Sequence, residues 1–329
     1  MRRKLVRFCN FVCLFMSITI SFNFILYLSR RADAEETETD FLLLEAKYHV
    51  LSFVSNFSQL ESAMVMLSSV IIGTDKTVYL HLALKGSVSQ DASIILESIS
   101  SQFTHFSFHI YVLDSDANMA HMLQHEPLFL IDFLPNFVKT VFYIDNNSIL
   151  TQSVDHISKK LKLFEEHNFI AIADPAILNG GLGRQSFGII VFNLIRLRSL
   201  KSEILAFLQK SHPQLRTLSA LLQAKPSYAL VLPCYFNYRQ NYCGSNACIP
   251  PPYEHIEVIT NSPSETFTLY NSLFSLYSHV INNMLPSAHF HSLATEKLKE
   301  LQGLHKCANF IDLGYMDSSR LLYKQSTFG

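Results

Sequence analysis

The sequence predicts an α/β fold, a mostly parallel central sheet with flanking helices, and three observations predict it. Short apolar runs alternate with segments whose apolar residues recur at helical spacing. One run, Val141-Phe142-Tyr143-Ile144, is apolar throughout, as expected of a strand covered on both faces. It leads into the polar turn Asp145-Asn146-Asn147-Ser148, and in open α/β sheets ligands sit beyond the carboxyl ends of such strands.

Taken in order, Tyr48–Val54 reads as a first strand ending at Ser55-Asn56, and Leu60–Ile72 as a helix with Gly73 as its stop signal. Val78–Leu84 is a second strand, a helix follows through Ile94, Ile95 and Ile99, and Phe106–Leu113 is a third strand. A helix is predicted over much of Met119–Val138, interrupted by Pro127 and Pro135. Beyond Asp145, Val154–Phe164 reads as helix, Phe169–Ala173 as a buried strand and Asn179–Arg184 as a glycine-rich loop. Phe187–Phe192 is a strand leading to a basic helical start at Arg196, Arg198 and Lys201. Residues 203–224 are predicted helical on both sides of His212-Pro213, and Tyr228–Leu232 is a strand. Pro250-Pro251-Pro252 marks a rigid turn. Residues 265–329 read as helix and loop, with Leu298 and Leu301 on one face of a charged helix that Gly303 ends.

The chain has 329 residues, 49% of them hydrophobic, and a formal net charge of -1. It therefore lacks the basic footprint of a nucleic-acid binder, and no nucleic-acid partner is expected. His105 with His109 and His121 with His125 are spaced like zinc ligands, but neither pair has a C-x₂-C partner, so no zinc site is read there.

The N-terminus sets the expected compartment. Basic residues up to Arg7 precede an uncharged run, Phe8–Ser29, long enough to cross a bilayer. An acidic flank follows, so the positive-inside rule keeps residues 1–7 cytoplasmic, 8–29 in the membrane, 30–46 as a stem and 47–329 in the lumen. Ala32-Asp33-Ala34 supports a rival reading, a cleaved signal peptide. Both readings place the domain in the secretory pathway, where Cys234, Cys243, Cys248 and Cys307 allow three pairings. Cys243 and Cys248 could close a small loop. Asn56-Phe57-Ser58 is a glycan acceptor sequence, whereas Asn146-Asn147-Ser148 sits inside the candidate site.

Several stretches, in order along roughly 49–260, resemble one family. These are the helix Leu60–Val70, the strand Phe108–Tyr111, the run Val141–Asp155, the strand and helix start Gly188–Arg198, and Leu232–Cys248 with its Pro-Cys-x-x-Asn-Tyr-Arg pattern. The chain resembles glycosyltransferase family eight, especially the glucoside xylosyltransferase-like branch. The resemblance implies a GT-A fold and a type II membrane protein of the Golgi or endoplasmic reticulum. It also implies retaining transfer of xylose or another sugar from a UDP-sugar to a glycan acceptor with Mn²⁺. Carried over residue by residue, Ser52, Phe53 and Val54 would border the uridine. Asp145 would hold metal and diphosphate, with Asn147 where the family's D-x-D motif has its second Asp. Thr260 stands where the family has a metal-binding His, with His255 as a substitute. Gln214-Leu215-Arg216 falls where the family carries Asp-Gln-Asp. Arg184, Arg216 or Arg239 could instead neutralise a diphosphate, although Arg239 also suits a structural ion pair. These losses keep open an alternative: a catalytically inactive scaffold that binds a glycan or a protein partner.

Overall fold

The computed structural model describes residues 43–113, 133–161, 168–173, 188–210, 218–243, 248–252, 254–261, 268–283, 287–304 and 306–311. The chain divides into two compact units, Met1–Glu45 and Ala46–Gly329, and the sheet with its helices belongs to the second. The expected tail 1–7, anchor 8–29 and most of the stem lie outside the described residues. Among the described residues, no helix is long and apolar enough to cross a membrane.

The first half alternates strand and helix: β1 (Tyr48–Val54), α1 (Phe57–Ile72), β2 (Val78–Lys85), α2 (Ser89–Gln102), β3 (Phe106–Leu113) and β4 (Thr140–Ile144). A short strand β5 (Ser148–Leu150) and helix α3 (Val154–Lys160) follow. Then come β6 (Ile170–Ile172), β7 (Ile189–Asn193), α4 (Leu194–Lys210), α5 (Leu218–Ala224) and β8 (Ala229–Val231). A one-turn helix α6 (Gln240–Cys243), β9 (Val258–Thr260), α7 (Thr268–Asn283) and α8 (Ser287–Leu304) follow. Among the described residues, seven strands form one sheet in the order β3-β2-β1-β4-β7-β6-β8, and β5 pairs with β9 in a separate ribbon. Only β7 runs against its neighbours, antiparallel to both β4 and β6, so the sheet is mostly parallel.

Period-2 alternation sorts the strands between two cores. Tyr48, Val50 and Val54 of β1 face a cluster built with α1, α2, α7 and α8. Leu51 and Phe53 face a second cluster with Leu197, Leu200 and Ile204 of α4 and Leu221 and Leu222 of α5. Each fully buried Leu, Ile or Phe adds about 1.5–3 kcal/mol, which is why apolar-all-round strands settle between two helical layers. Helix α1 starts three residues earlier than its periodicity predicts. The Asn56 side chain caps it by accepting from the Gln59 amide at 3.0 Å, and the Gln59 carbonyl reaches back to the Ser55 amide at 2.8 Å.

Three sequence expectations are corrected. Residues 134–138 form turn and loop, not helix, and Arg198 of α4 donates to the carbonyls of Leu134, Pro135, Asn136 and Val138 there. Helix α8 passes through Gly303 to Leu304. Of the predicted helix Val154–Phe164, Val154–Lys160 is helix α3 with Leu161 as its C-cap, and the remainder lies outside the described residues. The disulfide joins Cys234 to Cys248, with Cα atoms 5.9 Å apart, and not Cys243 to Cys248. It closes a loop around Asn237-Tyr238-Arg239, the kind of link that contributes about 3 kcal/mol. Cys307 is disulfide-bonded as well.

A buried relay crosses the second face of the sheet. His49 Nδ1 lies 3.1 Å from His81 Nε2, and His81 Nδ1 lies 3.1 Å from the Tyr111 hydroxyl. Neutral rings satisfy both contacts with one N–H each. Burial pushes His49 down to about 4 and His81 to about 3, the latter helped by the neighbouring His49 and His109. Since the folded values lie below the unfolded one near 6.5, the unfolded chain takes up more protons on acidification. The contribution is complete above pH 6.5 and is lost as pH falls towards 4 and then 3, at about 1.4 kcal/mol per unit per histidine. Glu257, pushed up to about 7 by burial, acts in the opposite sense, losing its contribution as pH rises from 4.5 to 7. Denaturation of wild type and of the double variant His49→Leu/His81→Leu separates the two. Between pH 7 and 5 the wild type should lose on the order of 3 kcal/mol more than the variant. Equal losses would show that the histidines are not coupled to folding.

Candidate functional site

The turn after β4 is built by hydrogen bonds from three directions. The Asp145 amide donates to the Gly188 carbonyl at 2.9 Å, and the Ser148 amide donates to the Asp145 carbonyl at 3.0 Å, closing the turn. Asn146 points inward and donates from Nδ2 to the Phe53 carbonyl at 3.1 Å. The Ser52 hydroxyl donates to the Ile144 carbonyl at 2.9 Å. These last two bonds fasten the carboxyl end of β1 beside the turn. Ser52, Phe53 and Val54 are all buried, so this segment offers the site its strand end more than its side chains. Asn146 is itself buried, which makes its sequon inaccessible to glycosylation, whereas Asn56 is exposed.

The β5–β9 ribbon carries Asn147 and Thr260 to the same place. Ser148 pairs with Thr260, and their hydroxyls lie 3.2 Å apart. The Asn261 amide donates to the Asn147 carbonyl at 3.0 Å. Behind them, the Tyr238 amide donates to Val258 and the Thr260 amide to Tyr238, so the Asn-Tyr-Arg turn braces β9. Gly188 lies at the centre with φ +66, and a Cβ there would fall 2.5 Å from Asn237 Oδ1 and 2.9 Å from Thr260 Oγ1.

Electrostatically, Asp145 is half-buried, and of the residues assembled here it alone carries a carboxylate. Burial, and then the Asp145 charge, push the hydroxyls of Tyr143 in β4 and Tyr270 in α7 well above the usual tyrosine range. Both therefore stay neutral near Asp145. The Thr260 hydroxyl is shared with Ser148, while Asn261 Oδ1 is buried with no hydrogen-bond partner among the described residues. A buried amide oxygen without a donor is unfavourable by about 1–3 kcal/mol unless something positive meets it. Asp145, Asn147 and Asn261 stand on adjoining backbone segments and offer hard oxygen donors, the ligand type that suits Mn²⁺ or Mg²⁺.

Other expected residues fall elsewhere. His255 lies at the far end of the ribbon beside His156. Arg239 is buried and already engaged, as a structural residue would be. Asp155, at the end of the run Val141–Asp155, holds the scaffold by accepting from Tyr48 at 2.6 Å and Thr74 at 2.5 Å. Asn179–Arg184 and Gln214-Leu215-Arg216 lie outside the described residues, as do His121 and His125. Sequence reasoning gave no role to Asn146, Asn261 or Tyr270. The first two stood next to residues it named, and a second Asn after Asp145 was a usable sign of a turn-anchoring side chain. Tyr270 left no local signal.

No family model matches the chain, and no curated protein matches it in sequence. Solved structures do resemble it. The apo form of mouse xyloside xylosyltransferase 1 superposes with a TM-score of 0.52 at 12% identity, covering 67% of this chain and 99% of that one. The apo form of the glycosyltransferase GlyE of Streptococcus pneumoniae TIGR4 gives a TM-score of 0.50 at 16% identity, covering 74% of this chain and 64% of that one. An active-site mutant of LgtC gives 0.50 at 11% identity, covering 69% and 94%. The likeness establishes the architecture: this is the GT-A type of glycosyltransferase fold.

Proposed function

We propose that the protein is a glycosyltransferase that takes a sugar from a UDP-sugar and passes it to a glycan acceptor. We place it in family eight, near the xylosyltransferases, with retention of configuration and a membrane-anchored site of action in the Golgi or endoplasmic reticulum. One observation carries this reading. The end of β1, the Asp145 turn and the Asn147–Asn261 pair meet at the carboxyl edge of a parallel sheet, where such sheets bind ligands.

In this reading the end of β1 borders the uridine. Asp145, Asn147 and Asn261 face the diphosphate side and hold a divalent cation, with Thr260 beside them orienting Ser148. The cation, when bound, neutralises the leaving diphosphate. Tyr270, kept protonated by burial and by the Asp145 charge, places no second negative charge near Asp145. Gly188 lets the backbone approach closely, since any side chain would fill the space between Asn237 and Thr260. Xylose is the donor sugar that the resemblance favours.

A second reading, an inactive scaffold that binds a glycan or a protein partner, is favoured by the lone carboxylate in this group. Calorimetry of the purified protein with UDP, with and without Mn²⁺, tests the choice. The expected result is binding that tightens at least about tenfold with Mn²⁺, or about 1.4 kcal/mol. Binding indifferent to metal would transfer the diphosphate to arginines. No binding under either condition would sink the transferase reading.

A further inference from the structure

A second constellation lies at the opposite end of the β5–β9 ribbon. Helix α3 presents His156 and, one turn on, Lys160, while the extended stretch entering β9 presents Glu254 and Glu257. One ligand atom from each of His156, Glu254 and Glu257 lies within 4.8 Å of the others. We propose that these three side chains form a binding site for a divalent cation of the zinc class, separate from the Asp145 turn.

Glu257 makes the strongest case. It is fully buried, and among the described residues neither of its carboxylate oxygens accepts a hydrogen bond. Facing it are the Lys160 ammonium, with Nζ at 3.7 Å, and the His156 ring, with Nε2 at 3.1 Å. Removing a carboxylate from water is unfavourable by several kcal/mol unless a cation and hydrogen bonds replace the lost hydration. Lys160 supplies this only in part, because its close contact is with Glu254. A cation between the three ligands would meet Glu257 directly.

The donors are also held in place. The Ser153 hydroxyl caps α3 by accepting from the His156 amide at 3.1 Å. The Glu257 amide donates to Tyr235 at 2.8 Å, and its carbonyl accepts from Thr151 at 2.9 Å, so its backbone is fixed on both sides. Lys160 would have to yield, and it has another seat. Its ammonium already lies 5.4 Å from the ring centre of Tyr235 and 5.8 Å from that of Phe236. The His156 side chain is 45% exposed, leaving room for water to complete a four-coordinate shell. One imidazole with two carboxylates suits zinc, whereas the all-oxygen set around Asp145 suits manganese or magnesium. A cation here would fasten α3 to the strand whose other end carries Thr260 and Asn261.

Zn²⁺ titrated by calorimetry into the metal-free full chain tests this, with Co²⁺ absorption reporting imidazole ligation. One equivalent should bind, and His156→Ala, a change on a half-exposed side chain, should weaken it more than about tenfold. Glu254→Gln should do the same, and both variants should keep the Mn²⁺-dependent UDP binding of the wild type. That contrast keeps this site independent of the transferase reading. The proposal is overturned if the wild type takes up no Zn²⁺, or if His156→Ala and Glu254→Gln both bind it as the wild type does.

Discussion

Gly188→Ala should destabilise the protein by about 2–5 kcal/mol and disable the Asp145 turn with it. Two independent terms add. An alanine at φ +66 adopts a left-handed conformation that disfavours L side chains by about 1–2 kcal/mol. Its methyl group would also lie 2.5 Å from Asn237 Oδ1, 2.7 Å from Asn237 Cγ and 2.9 Å from Thr260 Oγ1. Asn237 and Thr260 are buried, at 2% and 1% exposure, so neither can swing clear. Overpacking of this kind adds about 1–3 kcal/mol. The Gly188 carbonyl accepts the Asp145 amide, so a backbone shift that relieves the clash moves the candidate ligand. Two other glycines serve as controls. A Cβ at Gly86 meets only Val112 at 3.6 Å, and one at Gly303 meets nothing within 4 Å. Gly303→Ala, inside α8, should stabilise by about 0.5–1 kcal/mol. Denaturant unfolding of the three variants decides the matter. A Gly188→Ala protein within about 0.5 kcal/mol of wild type would show that the close approach is not rigid.

The same contrast between local and convergent features explains what the sequence could and could not reveal. Strands Tyr48–Val54 and Phe106–Leu113 were legible to the residue, because an apolar run bounded by polar or turn residues contains its own limits. The reversed direction of β7 was not legible, since a central strand is apolar whichever way it runs. The disulfide misled for a related reason. Cys243 lies five residues from Cys248 and Cys234 lies fourteen, yet the turn between Cys234 and Tyr238 brings the more distant pair together. At the site, Asp145 and Asn147 share one turn and were visible as a motif. The sequence reading gave the role to Thr260 and none to its neighbour Asn261, and only the ribbon geometry shows which oxygen lacks a partner among the described residues. Tyr270, and the pairing of His156 with Glu254 and Glu257, join stretches about a hundred residues apart, and no spacing rule reaches that far.

Asp145→Asn should weaken Mn²⁺-dependent UDP binding by about a hundredfold, close to 3 kcal/mol, while leaving stability nearly unchanged. The substitution keeps the shape and both turn bonds, because these run through the backbone of Asp145 and not its side chain. What it removes is charge, and in this group of residues the charge belongs to Asp145 alone. The loss has a signature in the protein without ligand. The Asp145 charge helps hold Tyr143 and Tyr270 above the usual tyrosine range, so both should ionise at lower pH in the variant, though still above 10 because burial is the larger cause. A merely structural role for Asp145 would not produce that shift together with retained stability. The reverse substitution is the stronger test. Asn147→Asp restores a second carboxylate on the same turn, and should tighten Mn²⁺-dependent UDP binding about tenfold or more. If Asp145→Asn binds UDP and Mn²⁺ as the wild type does, Asp145 does not anchor the diphosphate. If it loses binding and Asn147→Asp gains none, the cation meets Asp145 but not Asn147. The third oxygen assigned to Asn261 would then have to act with Asp145 alone.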